Sequence, residues 1–458
     1  MIALIVAGCS NDVALGGPNT LVRVDGEPPG VNCPNGGVAV HTGLDHDGDG
    51  YLDDDEITST QYVCNGSEPV QCGGGTIVNG TVAIEQSSDF ALLDGATCVD
   101  GDLLIAGVPD NEIPALDLET VTGGVVVVGN QNLTSIDGLG HLREIGGTYL
   151  VQGNPALANV HGMSAITRAQ QISIVGNDAL PDLTGLEGLK DTRIQLTISN
   201  NGSLASLTGL DNLTTASQQI TIHSNHDLTS LDGLRNLRSV ALIEVSGNET
   251  LPAVEFPALE QIGGRLLVNN NVAVTTVTMP ALTTLGDFLQ VDGNAALTAV
   301  SMPELLTIAS ILIDNDNSIT TFSAPKLLFA TNVITLFTLP KLSQLQVPHL
   351  TSIGGTLTMN TTPAFANFSA FSTVTTIGGS LIVQNNTGIH NFTGFTALRL
   401  ISGDMTVVNN ASLSSYVGLE QLGEIGGSFK ASQNPMLPAA TSQAFADRVG
   451  VGGTITIN

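Results

Sequence analysis

Pairs of apolar residues two apart, each followed three positions later by Asn, recur along this chain at intervals of 23 or 24 residues. They are Val125, Val127, Asn130; Tyr149, Val151, Asn154; Ile172, Ile174, Asn177; Leu196, Ile198, Asn201; Ile220, Ile222, Asn225; Ile243, Val245, Asn248; Leu266, Val268, Asn271; and Leu289, Val291, Asn294. A period of this length marks one supersecondary unit repeated along the chain. Within "ITIHSNHDLTSLDGLRNLRSV" the alternation at Ile220 and Ile222 is that of a strand, whereas Leu228, Leu231, Leu234 and Leu237 fall every third residue, as in a winding path of turns. No single unit buries that apolar set. Stacked units do, because strands from successive turns pair about 4.8 Å apart and align their apolar residues into interior columns. The sequence therefore predicts an all-β parallel β-solenoid over residues 103–437.

The Asn slot follows from the same stacking. A buried amide is costly unless its hydrogen bonds are met. In a stack, each side chain reaches the backbone of its own turn and the amide of the next. Asn130, Asn154, Asn177, Asn201, Asn225, Asn248, Asn271 and Asn294 are thus expected to form a structural ladder with no catalytic part. The ladder weakens between Asn317 and Asn386, where Leu339 and Thr362 take Asn slots, and the marker becomes a corner of apolar residue, Pro, any residue, Leu at Pro257, Pro280, Pro303, Pro325 and Pro348. Regular units resume at Asn386, Asn410 and Asn434.

Composition agrees with repetitive β-structure: no Trp, 4% aromatics and 52 Gly in 458 residues. The balance of 42 acidic against 13 basic residues, a formal charge of -29, repels phosphate backbones and excludes nucleic acid as an expected partner.

Residues 72–102 read as an N-terminal cap, with Ser87 or Ser88 placed to cap a short helix before the first full strand. Residues 438–458 read as a C-terminal cap, in which "PAATSQAFADRVG" is a short amphipathic helix and "GGTITIN" a last strand. With "IGGxLxVxxN" and "LxGLxxL" echoing between residues 98 and 458, the chain resembles the receptor L-domain family, a leucine-rich right-handed β-helix. The resemblance implies a right-handed solenoid with 23–24-residue turns. It says little about function, because that family mixes receptors with structural surface proteins.

The first residues have their own logic. "MIALIVAGCSN" resembles a bacterial lipobox, which implies a signal segment over residues 1–9, lipidation of Cys9 and, with Ser10 next, passage to the outer membrane; the match departs from the pattern in having no Lys or Arg before the apolar run. Lipidation leaves Cys33, Cys64, Cys72 and Cys98, an even set suited to two disulfides in an oxidising compartment. Of three connectivities, Cys33 with Cys64 and Cys72 with Cys98 keeps each pair within one module.

After a tether at residues 10–27, residues 28–68 form a small module around "DHDGDGYLDDDE". Asp45, Asp47, Asp49, Tyr51 through its carbonyl, Asp53 and Glu56 stand at positions 1, 3, 5, 7, 9 and 12 of an EF-hand-type calcium loop, with Gly50 for the sharp turn. The flanks read as strands, so calcium is expected to clip the module together and not to drive a helix-pair switch. The stretch also resembles a small module of bacterial surface lipoproteins, which implies extracellular placement.

No GxSxG, P-loop, dinucleotide fingerprint or recurrent acidic pair appears. The expected function is non-catalytic recognition or adhesion by a lipid-anchored outer-surface protein whose solenoid face binds a glycan or a surface protein. The rival is a purely structural envelope protein, and a polysaccharide-active β-helix enzyme comes third. Phe322, Phe329, Phe337, Phe365, Phe368 and Phe371 cluster where the Asn ladder lapses; core filling is favoured over a glycan-binding patch.

Overall fold

A computed structural model describes residues 20–27, 37–44, 52–64, 70–192 and 195–458. The chain divides into two compact units, residues 1–228 with 232–234, and residues 229–231 with 235–458. In each, the chain winds as a parallel β-solenoid.

In the first unit, strands Leu103–Ala106, Val125–Val128, Thr148–Gln152, Gln171–Val175, Gln195–Ser199 and Thr215–His223 stack in register, with Val125 opposite Tyr149, Ile172 opposite Leu196 and Leu196 opposite Ile220. Their inward columns, from Leu103 and Ile105 to Ile220 and Ile222, are almost wholly buried. The corner that follows contains a Gly-Leu or Gly-Met step for a steric reason. A Cβ on Gly162 would collide with the Ile136 carbonyl, and one on Gly209, at φ 110°, with that of Leu183. Only glycine lets successive turns approach so closely there.

A disulfide joins Cys72 to Cys98 across 26 residues at the start of this unit. The 3-10 helix between them, Ser87–Leu93, is capped by the residue before Ser87 and not by either serine expected from the sequence. Gln86 is the N-cap, because the Asp89 carboxylate accepts from the backbone N–H of both Glu85 (3.0 Å) and Gln86 (3.1 Å).

Three antiparallel strands precede the solenoid: β1 (Thr20–Glu27), β2 (Gly37–Leu44) and β3 (Ile57–Cys64), in the order β1-β2-β3. From β2, Val40, 1% exposed, packs on the outer side of the first turns against Ala106, Val126, Val128 and Leu150, beside Leu104. This contact explains the change in the outward strand slot, apolar at Leu104, Val126 and Leu150 and polar at Ser173, Thr197 and Thr221. The apolar stretch is the part that the small sheet covers.

In the second unit, the main sheet runs through Ser239–Ser246, Leu266–Asn269, Thr284–Asp292, Thr307–Asp314, Ile334–Phe337, Leu357–Asn360, Leu381–Gln384, Met405–Val408, Phe429–Ser432 and Ile455–Ile457. The proline corners have a structural counterpart. Beside them the chain adds a second, five-stranded parallel sheet, Ala253–Glu255, Thr276–Thr278, Ala299–Ser301, Thr321–Ser323 and Gln344–Gln346, with Val254, Val277, Val300 and Phe322 pointing inward. After Pro348 that sheet stops, and the 3-10 turn Ser369–Phe371 takes its place.

The wider interior at this change is filled by aromatic rings. Phe368 stacks on Phe395 at 4.7 Å and on Phe392 at 5.4 Å, and meets Phe365 edge-on at 5.7 Å. Helix Ala439–Arg448 closes the unit. Its Arg448 donates to the carbonyls of Leu419 (2.8 Å), Glu420 (3.1 Å) and Leu422 (3.3 Å), groups that a further turn would otherwise cover.

Candidate functional site

Inward columns repeat because a common core requires it; the outward columns of the second unit do not repeat. Register places Asn269, Asp292, Asp314, Phe337, Asn360 and Gln384 side by side, each at the end of its strand. The neighbouring column reads Leu267, Gln290, Leu312, Thr335, Thr358, Ile382, Thr406 and Lys430. A face of planar amides and carboxylates around one aromatic ring, at the strand spacing of about 4.8 Å, is suited to contacting an extended polar ligand.

Each strand is bent away from this face by a residue with positive φ just before the ladder slot. Gly293 fills that position in one turn, but Asn270, Asn315, Asn385 and Asn409 do so in others, at φ between 55° and 60°. Asn tolerates this region by local hydrogen bonding. Thr338 (φ 51°) and Thr361 (φ 56°) do not share that advantage, and a β-branched residue there stores strain of about 1–3 kcal/mol. They immediately follow Phe337 and Asn360, so the most strained backbone borders the centre of the column.

Side chains of the column and of the positive-φ residues beside it are cross-linked between turns. Asn315 Nδ2 donates to Asp292 Oδ1 (3.1 Å), Asn385 Nδ2 to Asn360 Oδ1 (2.8 Å), and Asn409 Nδ2 to Asn385 Oδ1 (2.8 Å). Asn269 Oδ1 and Asp314 Oδ1 are buried without a protein partner. Burial holds the Asp314 carboxyl above the usual carboxylate range, against a hydrogen bond from the Asn315 backbone, and Asp292 adds like-charge repulsion. Nearby, the Arg265 guanidinium lies 4.8 Å from the Phe288 ring centre and pairs with Asp287 at 3.0 Å.

Of the six clustered phenylalanines, Phe322, Phe365, Phe368 and Phe371 are core residues. Phe329 and Phe337 are 44% and 36% exposed, and Phe337 stands in the outward column. Alternation around Phe337 in "VITLF" was the available signal, since Ile334 and Leu336 take the inward positions.

The ladder Asn residues from Asn130 to Asn294 are completely buried. In the first unit the backbone N–H of Asn130, Asn154, Asn177 and Asn201 each meets the Oδ1 of the Asn one turn later, at 3.0–3.2 Å. Their Nδ2 groups reach strand carbonyls, as in Asn177 to Val151 (3.0 Å). These amides are spent on the backbone. The residue sequence reading missed is Asp316: the turn after Asn294 spans 22 residues, so the slot falls on Asp316 and not on Asn317.

Asp45, Asp47, Asp49, Tyr51, Cys9 and Cys33 lie outside the described residues, and with them most of the calcium loop, the lipidation site and the Cys33–Cys64 pairing. The end of the loop is described. Glu56, 5% exposed, accepts from the Asp53 backbone N–H (3.1 Å), while Arg23 donates to the Leu52 carbonyl (2.7 Å) and to Asp54 (2.6 Å). Among the described residues, no group of three or more His, Cys, Asp or Glu is arranged to hold a metal ion, and no helix is long and apolar enough to cross a membrane.

A groove of about 310 Å³ lies at the end of the five-stranded sheet, lined by Pro325, Leu345, Gln346, Val347, Pro348, Ser369 and Ala370.

Two regions of the chain match known families. Residues 349–442 match the receptor L domain, and residues 19–64 match a domain of unknown function (DUF7151). The first match falls on the second unit and includes Asn360, Gln384, Thr406 and Lys430 of the outward columns; the second coincides with the β1–β3 sheet. No curated protein matches the chain.

Proposed function

We propose that this chain is a lipid-anchored outer-surface protein that recognises a glycan or a surface protein, without catalysis, through the outward columns of the main sheet in residues 235–458. The observation that carries this reading is the column Asn269, Asp292, Asp314, Phe337, Asn360 and Gln384. It gathers polar planar groups, an exposed ring and strained backbone on one face. The receptor L-domain match supports a ligand-binding, non-enzymatic role.

Cys9 supplies the lipid attachment in this reading, and Asp45, Asp47, Asp49, Tyr51, Asp53 and Glu56 bind calcium. That site is expected to have the weak affinity of extracellular modules, about 0.1–1 mM. Calcium then clips together the module that rests on Val126 and Leu150, and the solenoid stays clear of the anchor.

The test is binding of the full chain to an array of bacterial and environmental glycans, with Phe337→Ala and Asn360→Ala compared at equal folded concentration. Saturable binding that both substitutions weaken at least tenfold supports glycan recognition. Saturable binding indifferent to both moves the site elsewhere. No glycan binding, together with no neighbour crosslinked to the protein on intact cells, leaves the structural envelope role.

A further inference from the structure

Among the described residues, Asp316 is the one carboxyl in a ladder slot, and it is completely buried. Its Oδ1 accepts from the Asn294 backbone N–H at 2.6 Å. Its Oδ2 has no protein partner. In the preceding turns the corresponding atom is an amide nitrogen, a donor. Asn271 Nδ2 gives hydrogen bonds to the Val245 and Asn269 carbonyls (2.9 and 3.1 Å), and Asn294 Nδ2 to those of Val268 and Asp292 (2.8 and 3.2 Å). One turn on, register makes the equivalent carbonyls those of Val291 and Asp314. An ionised Oδ2 would confront acceptors with an acceptor, whereas a protonated one donates.

The next slot adds to the demand. Leu339 has no polar side-chain atom, so the relay of amide to amide stops there and resumes only at Thr362, whose N–H and Oγ1 both donate to Asn386 Oδ1 (2.7 and 2.8 Å). The charges acting on Asp316 are the carboxylates of Asp292 and Asp314, both unfavourable to ionisation.

We propose that Asp316 sits in the folded ladder as a neutral carboxylic acid, and that its ionisation opens the turns around residues 294–339 as pH rises. Burial pushes this carboxyl up to about 7, against the hydrogen bonds from Asn294, and the two neighbouring carboxylates add to the rise. The sign follows: a carboxyl raised in the folded state contributes stability that is complete at acidic pH and is lost as pH climbs through about 7. Strand Thr307–Asp314, which presents Leu312 and Asp314 outward, runs directly into this slot, so the ladder and the outer face are coupled there. The inference stands on the ladder geometry and does not require that the face bind a ligand.

The experiment is hydrogen exchange on the full chain between pH 5 and pH 8, corrected for intrinsic exchange, comparing wild type with Asp316→Asn and Asp314→Asn. In wild type, protection at residues 294–316 is expected to fall by up to about tenfold per pH unit from pH 5 to pH 7 relative to residues 381–434.

D316N, which restores the ordinary ladder residue, should abolish that slope. D314N should keep the slope and move its midpoint to lower pH, because removing one like charge eases ionisation of Asp316. An infrared band from a buried protonated carboxyl, present at pH 6 in wild type and missing in D316N, is the second expected result. Equal protection at both ends of the pH range in wild type, an unchanged slope in D316N, or no difference in the infrared band would each overturn the proposal.

Discussion

Replacing Asn271 by Ala tests whether the ladder holds the second unit together. Asn271 is completely buried. Its Oδ1 accepts from the backbone N–H and the Nδ2 of Asn248 (3.0 and 3.2 Å), and its Nδ2 donates to Val245 O (2.9 Å), Asn269 O (3.1 Å) and Asn294 Oδ1 (3.3 Å). Alanine removes all five and strands one buried backbone group, the Asn248 N–H, because the Asn269 carbonyl keeps the Gly247 N–H (3.0 Å) and the strand register keeps the Val245 carbonyl paired. At about 1–3 kcal/mol for a stranded buried group, the loss is about 1–3 kcal/mol.

A matched surface change, Thr351→Ala, deletes one exposed bond of 3.0 Å to Leu328 O and should cost no more than about 0.5 kcal/mol. Stacked repeats unfold in pieces when cooperativity fails. Urea titration followed by circular dichroism therefore has to be paired with hydrogen exchange at residues 245–294. If Asn271→Ala shifts neither measurement further than Thr351→Ala does, the amide column is not what stabilises these turns, and the argument from stranded backbone groups is wrong.

Val126→Asp places a charge under Val40 and should undock the β1–β3 sheet; burying an unpaired polar group there costs about 1–3 kcal/mol, so tryptic cleavage after Arg23 should accelerate roughly tenfold or more. Phe368→Ala should cost about 3–5 kcal/mol because it empties the centre of the ring stack, whereas Phe337→Ala should leave the denaturation midpoint almost unchanged. A Cys72→Ser, Cys98→Ser double variant releases a closed loop of 26 residues' separation, and the first solenoid turns should lose about 3–4 kcal/mol by hydrogen exchange.

The strand alternation, the Asn slot and the period were legible in the sequence because stacking imposes the same demand at the same place in every turn. Ile220 and Ile222 point inward for the reason that Leu196 and Ile198 do, and eight Asn residues at one slot leave little choice about what that slot requires. Outward positions carry no such redundancy. Leu104, Val126 and Leu150 look like an irregular exposed column until Val40 is found resting on them, a contact between segments far apart in the chain.

The same limit applies to the aromatic residues and to Asp316. Six phenylalanines near one another in sequence divide into four core rings and two exposed ones, according to whether each faces into or out of the coil. Asp316 enters the ladder because one turn is 22 residues long, a shortening that moves the slot by one residue. Periodicity by itself determined the architecture, since every turn must satisfy its neighbours. Which outward side chains are covered, and which buried oxygen lacks a partner, depends on contacts between non-repeating parts, and only the tertiary structure decided them.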